Sequence, residues 1–144
     1  MVIGDAANQS VADVAITIRS SGQLTAPNTL FHISLSHSRS MIAVGISHQP
    51  IGIDIECMDR SHDFLSLARR QFTANEYQDL HALTGDQRRH RFYELWTQKE
   101  AALKAFGLGV SHMSAIGSIK GDSKLVNDHY MLSIYDHGPI IITI

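Results

Sequence analysis

Asp54, Glu56, Glu100 and Lys104 are the residues of this chain best suited to chemistry. Asp54 and Glu56 stand two apart in Gly52-Ile53-Asp54-Ile55-Glu56, so on an extended strand they project from one face. Glu100 and Lys104 stand four apart in Trp96-Thr97-Gln98-Lys99-Glu100-Ala101-Ala102-Leu103-Lys104, so on a helix they share one side. Carboxylates this close repel each other unless a cation or strong donors lie between them. Three oxygen donors carried by two rigid elements suit magnesium, and a neighbouring ammonium suits a phosphate. The set therefore points to metal-assisted chemistry on a phosphate or pyrophosphate. Each pair has an ordinary alternative when read alone. Asp54 and Glu56 could line a solvated edge strand, and Glu100 and Lys104 could form a surface ion pair worth about 0.2–0.5 kcal/mol. Trp96, one turn before Glu100, favours partial burial, because a large aromatic anchors that stretch of helix.

Three further groups stand near these residues in the pattern. Lys99 falls within the apolar stripe of the same helix. Either its stem packs along the core while its charge escapes to solvent, or its ammonium enters the site; the pattern favours the first. Ser36-His37-Ser38 closes an apparent strand, where His37 could donate to a phosphate or simply cap the strand. The nine histidines form no His-Glu-x-x-His pair, so no zinc is assigned. With no Gly-x-Ser-x-Gly turn and no Gly-x-x-x-x-Gly-Lys loop, a serine hydrolase and a P-loop nucleotide enzyme are both set aside.

The elements that must position these groups follow from periodicity. Residues 14–19 alternate like a strand. Phe31, Ile33 and Leu35 alternate with His32, Ser34 and Ser36, giving one apolar and one polar face. Residues 41–46 form a continuous apolar run, expected to be a strand buried on both faces. In the next strand Ile51, Ile53 and Ile55 face away from Gly52, Asp54 and Glu56. Three helices are expected: one at residues 64–68, one opened by the capping box Thr73-Ala74-Asn75-Glu76, and a long one over roughly 86–106, ended by Gly107 and Gly109. Residues 116–120, 130–135 and 140–144 read as three short strands, with turns at Gly121-Asp122 and Gly138-Pro139. The fold class expected is α+β, with three helices packed on one face of a small, mostly antiparallel sheet. Strands before residue 57 and after residue 114 should join that sheet, or form two that face each other.

Bulk properties set the outer bounds. A chain of 144 residues is long enough for one domain with a real core. It has no apolar run near the ~20 residues of a membrane span and no signal-peptide pattern at its start, so neither membrane nor export is expected. A single cysteine excludes an intrachain disulfide and fits a cytoplasmic setting. A net charge of −2 excludes a general nucleic-acid binder. The charge is uneven: residues 60–104 carry eight basic and six acidic side chains, against two and five in residues 1–59. That section is either a solvated set of helix faces or a landing surface for an acidic partner.

At these residues the chain resembles the 4′-phosphopantetheinyl transferase superfamily. The family signature is Gly-x-Asp, followed by an aromatic-x-x-Lys-Glu-x-x-x-Lys helix; here it reads Gly52-Ile53-Asp54 and Trp96-Thr97-Gln98-Lys99-Glu100, then Lys104. Ser36-His37-Ser38, Phe72-Thr73 with Glu76-Tyr77, and Ala105-Phe106-Gly107-Leu108-Gly109 match the surfactin-type branch. The resemblance spans about residues 22–120.

The resemblance implies an α+β phosphopantetheinyl-transferase-like fold and transfer of the phosphopantetheine arm of coenzyme A to a serine of an apo acyl or peptidyl carrier protein. Adenosine 3′,5′-bisphosphate would be released. Asp54, Glu56 and Glu100 would hold Mg2+ on the pyrophosphate. Lys104 would neutralise or protonate the leaving phosphate, and Glu100 or a metal-bound water would be the base for the serine. His37, Ser36, Lys99 and Lys104 would contact coenzyme A, with support of the helix as the other role for Lys99. Surfactin-type members are pseudo-dimers of two similar halves. On that pattern, residues 51–144 correspond to the second half and 1–50 to the tail of the first, within one domain. The usual Gly-Lys-Pro segment stands here as Gly22-Gln23-Leu24, without its lysine. A homo-oligomer is expected to complete the site, a dimer ahead of a trimer. The alternative is a catalytically weak or inactive relative that binds coenzyme A or a carrier protein as a subunit.

Overall fold

The computed structural model describes residues 15–20 and 22–136, and the backbone of 140–143. The expected strand position Val14 and the expected turn at Gly138-Pro139 lie outside the described residues. Two antiparallel sheets form among the described residues. The larger contains β1 (Thr17–Ile18), β2 (Leu24–Thr25), β3 (His32–Ser38), β4 (Met41–Ser47) and β8 (Ile140–Thr143), in the order β1-β2-β3-β4-β8. The smaller contains β5 (Gly52–Cys57), β6 (Asp122–Val126) and β7 (Tyr130–Tyr135), in the order β5-β7-β6. The α+β class and the pairing of early and late strands are as expected, in the two-sheet form.

Between β5 and β6 lie three α-helices, α1 (Phe64–Gln71), α2 (Ala74–Ala82) and α3 (Gly85–Ala105), and a short 3-10 helix, Val110–Ala115. The capping box at the start of α2 is made in full: Thr73 Oγ1 accepts from Glu76 N, and Glu76 Oε2 accepts from Thr73 N. At its C-terminus α3 closes in a Schellman turn. Gly107 at φ +69° donates to the Lys104 carbonyl, and Leu108 N–H reaches back to Leu103. Among the described residues no helix is long and apolar enough to cross a membrane.

The helices do not all lie on the sheet. Only α3 does, against β5 and β7, while α1 and α2 pack on α3. The main core accordingly gathers Ala68, Phe72, Leu80, Phe92, Leu95, Leu103, Met113 and Met131. Because α3 is covered on two sides, its buried set exceeds the predicted stripe and includes Thr97, Gln98, Ala101, Ala102 and Ala105. A second, smaller core joins the sheets through Ala43, Ile53, Ile55 and Leu132.

Three local expectations are corrected. Residues 116–120 form no strand; the carbonyls of Ile116 and Gly117 bind the Lys99 ammonium instead. The strand is Asp122–Val126, so Asp122 opens β6 rather than a turn, and a three-residue loop that ends at His129 joins it to β7 through Asn127 and Asp128. Both have φ near +50° (49° and 57°), the twist a tight hairpin needs, and short polar side chains tolerate it. Finally, β4 is not buried on both faces, since Ile42 is 58% exposed.

Candidate functional site

On β5 the helix lies over the face that carries Gly52, Asp54 and Glu56, and the isoleucine face meets the larger sheet. Gly52 makes that approach possible. A Cβ there would overlap the Ala101 carbonyl and come within 2.7 Å of the Ala105 nitrogen. Hydroxyls then pin the helix in place: Thr97 Oγ1 lies 2.6 Å from Ser133 Oγ, and Ser133 stands opposite Asp54 in the sheet. Gln98 adds donors to Gly121 O and Ser123 Oγ.

This docking brings the end of α3 onto β5. Lys104 Nζ donates to Asp54 Oδ1 at 2.7 Å and to the Ile53 carbonyl at 3.1 Å. Asp54 is only 4% exposed; its Oδ1 also accepts from Ser36 Oγ at 2.8 Å, and its Oδ2 is buried without a partner. Glu56 Oε2 accepts from Ser38 Oγ at 2.9 Å. Burial first, and then the Asp54 charge, push the Glu56 carboxyl above its ordinary value. Glu100 is pushed up to about 7, mainly by burial, then by Asp54; Lys104 pulls the other way, and Glu56 adds a smaller push. Asp54, Glu56, Glu100 and Lys104 thus share one electrostatic neighbourhood. Among the described residues no three His, Cys, Asp or Glu side chains are gathered tightly enough around one point to hold a metal.

A cleft of about 540 Å3 opens beside Glu100 and Lys104, walled by Gln23, Ile33, Leu35 and Leu108. A larger one of about 810 Å3 shares Gln23 and Leu24 with it, but is lined by Arg19, Phe31, His32 and His48 and by none of the carboxylates. The 540 Å3 cleft lies beside Glu100 and Lys104, and a third, of about 260 Å3, is lined by Glu56 with Arg60, His62 and Trp96.

The remaining sequence candidates, Lys99, Ser36 and His37, take three different places. Lys99 is 1% exposed, and all three of its protons are taken, by Ile116 O, Gly117 O and Glu76 Oε2 at 3.0, 3.0 and 3.1 Å. Its charge neither escapes to solvent nor enters the site; it ties α2 and the 116–117 segment to α3. Ser36 is buried, its proton given to Asp54 and its oxygen accepting from Ile55 N. His37 is exposed, and alternation along β3 turns it away from Ser36 and Ser38. The serine face of β3 faces inward, while Leu35 on the nominally apolar face is 43% exposed. Ser38 and Glu76 were missed as contributors. Serines at every second position of β3, and a capping-box glutamate whose helix packs on a lysine, were the available signals.

Comparison with known proteins places the chain in a family. A family profile described as the 4′-phosphopantetheinyl transferase superfamily matches residues 50–130, more than half of the chain. The chain is 40% identical over 80 residues to 4′-phosphopantetheinyl transferase Sfp of Bacillus subtilis, covering 56% of this chain and 35% of that protein. It is 33% identical over 111 residues to the Bacillus subtilis 4′-phosphopantetheinyl transferase ffp, covering 76% of this chain and 49% of the relative. With 4′-phosphopantetheinyl transferase HetI of Nostoc it shares 40% over 87 residues, 60% of this chain and 36% of the relative. The chain therefore spans between about a third and a half of the length of these curated relatives.

Proposed function

Because the chain belongs to the 4′-phosphopantetheinyl transferase superfamily, we propose that it moves the 4′-phosphopantetheine arm of coenzyme A onto a serine of an apo acyl or peptidyl carrier protein, with Mg2+, releasing adenosine 3′,5′-bisphosphate. The observation that carries this reading is the Asp54–Lys104 contact at 2.7 Å beside two carboxylates whose pKa values are raised. The donor set also fits magnesium: the three carboxylates offer only oxygen, and Asp54 Oδ2 is buried with nothing bound to it. Asp54, Glu56 and Glu100 would hold the ion, which supplies charge neutralisation across the pyrophosphate.

This chain's residues do the rest. Glu100 would accept the serine proton as the hydroxyl oxygen bonds to the phosphorus of the pantetheine arm. The phosphorus–oxygen bond to the nucleotide side breaks, and Lys104 meets the charge that develops on the leaving phosphate. Within the domain we read residues 51–144 as the half that carries the chemistry, which the start of the family match at residue 50 supports. A second copy of this chain is the proposed route to completing the coenzyme A site, with exposed Leu35 at the cleft as its contact; sedimentation of the purified chain tests this, and a monomer that still transfers rules it out.

The direct test is incubation with coenzyme A, Mg2+ and an apo carrier protein. A mass gain of one phosphopantetheine on the carrier serine is expected, and is lost with EDTA. No gain with any acyl or peptidyl carrier overturns the reading. Binding of coenzyme A or carrier without a mass gain would favour a subunit role instead.

A further inference from the structure

Strand β5 is the edge of its three-stranded sheet, so one row of its backbone N–H groups has no strand partner. Serines of β3 take that row. Ser34 Oγ accepts from Ile53 N at 2.9 Å, Ser36 Oγ from Ile55 N at 3.2 Å, and Ser38 Oγ from Cys57 N at 3.0 Å. Each hydroxyl still has one proton to donate. Ser36 gives its proton to Asp54 Oδ1 and Ser38 gives its to Glu56 Oε2, both across 18 residues of sequence. The same offset from Ser34 reaches Gly52, which has no side chain. The ladder thus has two rungs that grip carboxylates and one that grips only backbone.

We propose that Ser36 and Ser38 are positioning residues that aim Asp54 and Glu56 at the metal. The inference rests on the magnesium reading above. A hydrogen bond on one carboxylate oxygen fixes the plane of the group and leaves the other oxygen to the cation. For Asp54 the free atom is Oδ2, buried and unpartnered, while Ser36 and Lys104 hold Oδ1. Outer partners of this kind commonly change metal affinity by about 10–100-fold when removed.

Ser34 supplies an internal control, since Ser34→Ala also removes an acceptor from the β5 edge but touches no carboxylate. The experiment is calorimetric Mg2+ titration of the wild-type chain and of Ser34→Ala, Ser36→Ala and Ser38→Ala, with thermal unfolding measured without metal. All three variants should lose similar stability. Mg2+ affinity should fall about 10-fold or more in Ser36→Ala and Ser38→Ala, and stay within about twofold in Ser34→Ala. Should an alanine variant fail to fold, Ser38→Thr and Ser38→Val, nearly equal in volume, replace it; threonine should keep the affinity and valine lose it. Equal Mg2+ affinity across the serine variants overturns the positioning role while leaving the magnesium reading in place. A wild-type chain that transfers phosphopantetheine but binds no Mg2+ overturns both.

Discussion

Gly52 and Ala101 meet backbone to backbone, with no room for a side chain between β5 and α3. That contact sets the height of the helix over the strand, and so the reach of Lys104 to Asp54. Gly52→Ala must push the two elements apart. Overpacking of this kind costs about 1–3 kcal/mol, and no rotamer change relieves a clash with backbone. A drop in urea midpoint together with loss of transfer is expected. Wild-type stability and turnover in this variant would show that the close approach is not what assembles the site.

Asp54→Ala and Glu100→Ala should each reduce Mg2+-dependent transfer at least about 100-fold while far-ultraviolet circular dichroism stays native. If the three carboxylates hold Mg2+ as proposed, losing one of them weakens binding of that hard cation and leaves the pyrophosphate charge unbalanced. Mass spectrometry of the carrier protein reads the outcome. Near-wild-type turnover at limiting Mg2+ would contradict the ligand assignment.

The raised Glu100 carboxyl has a thermodynamic sign. In the unfolded chain it titrates near its ordinary 4.5, in the folded chain at about 7. Between those values the folded state holds more protons, so stability without metal falls as pH rises from about 4.5 and levels off above 7. Glu56, also raised, acts in the same direction. Glu100→Gln should flatten this slope and be more stable than the wild type at pH 8. Parallel unfolding profiles for the two proteins from pH 5 to 8 would refute the shift.

Lys99 and Glu76 form a buried pair with side chains 1% and 5% exposed, and the ammonium also lies 5.8 Å from the centre of the Phe72 ring. Removing one partner leaves an uncompensated buried charge, at a cost of about 3–5 kcal/mol. Lys99→Met alone should therefore be strongly destabilised, and Lys99→Met with Glu76→Leu should recover much of the loss. Chemical denaturation of both variants decides it. A double variant no more stable than the single would mean that the pair is not the coupled unit described.

The helices, the capping box and most strands were legible because each is written in a local period or a local hydrogen bond, as with Thr73 and Glu76. The β6–β7 hairpin was legible in principle, through Asn127-Asp128, but the isoleucines at 116 and 119 offered a competing apolar signal. What settles that competition is remote: Lys99 needs carbonyl acceptors, and the 116–117 segment provides them.

The sequence alone determined the chemical kind of the site, because residue type and spacing put two carboxylates on one strand face and a carboxylate and an ammonium on one helix side. Tertiary structure decided which faces look inward. Alternation divides β3 into a serine face and an apolar face, and solvent preference assigns the serines outward. The edge of β5 draws the serines inward while Ile33 stays buried, since its N–H groups and the two carboxylates need hydroxyl partners more than Leu35 needs burial. Likewise Lys99 and Lys104 are alike as residues. Only the packing of α3 between sheet and helices turns one toward Glu76 and the other toward Asp54.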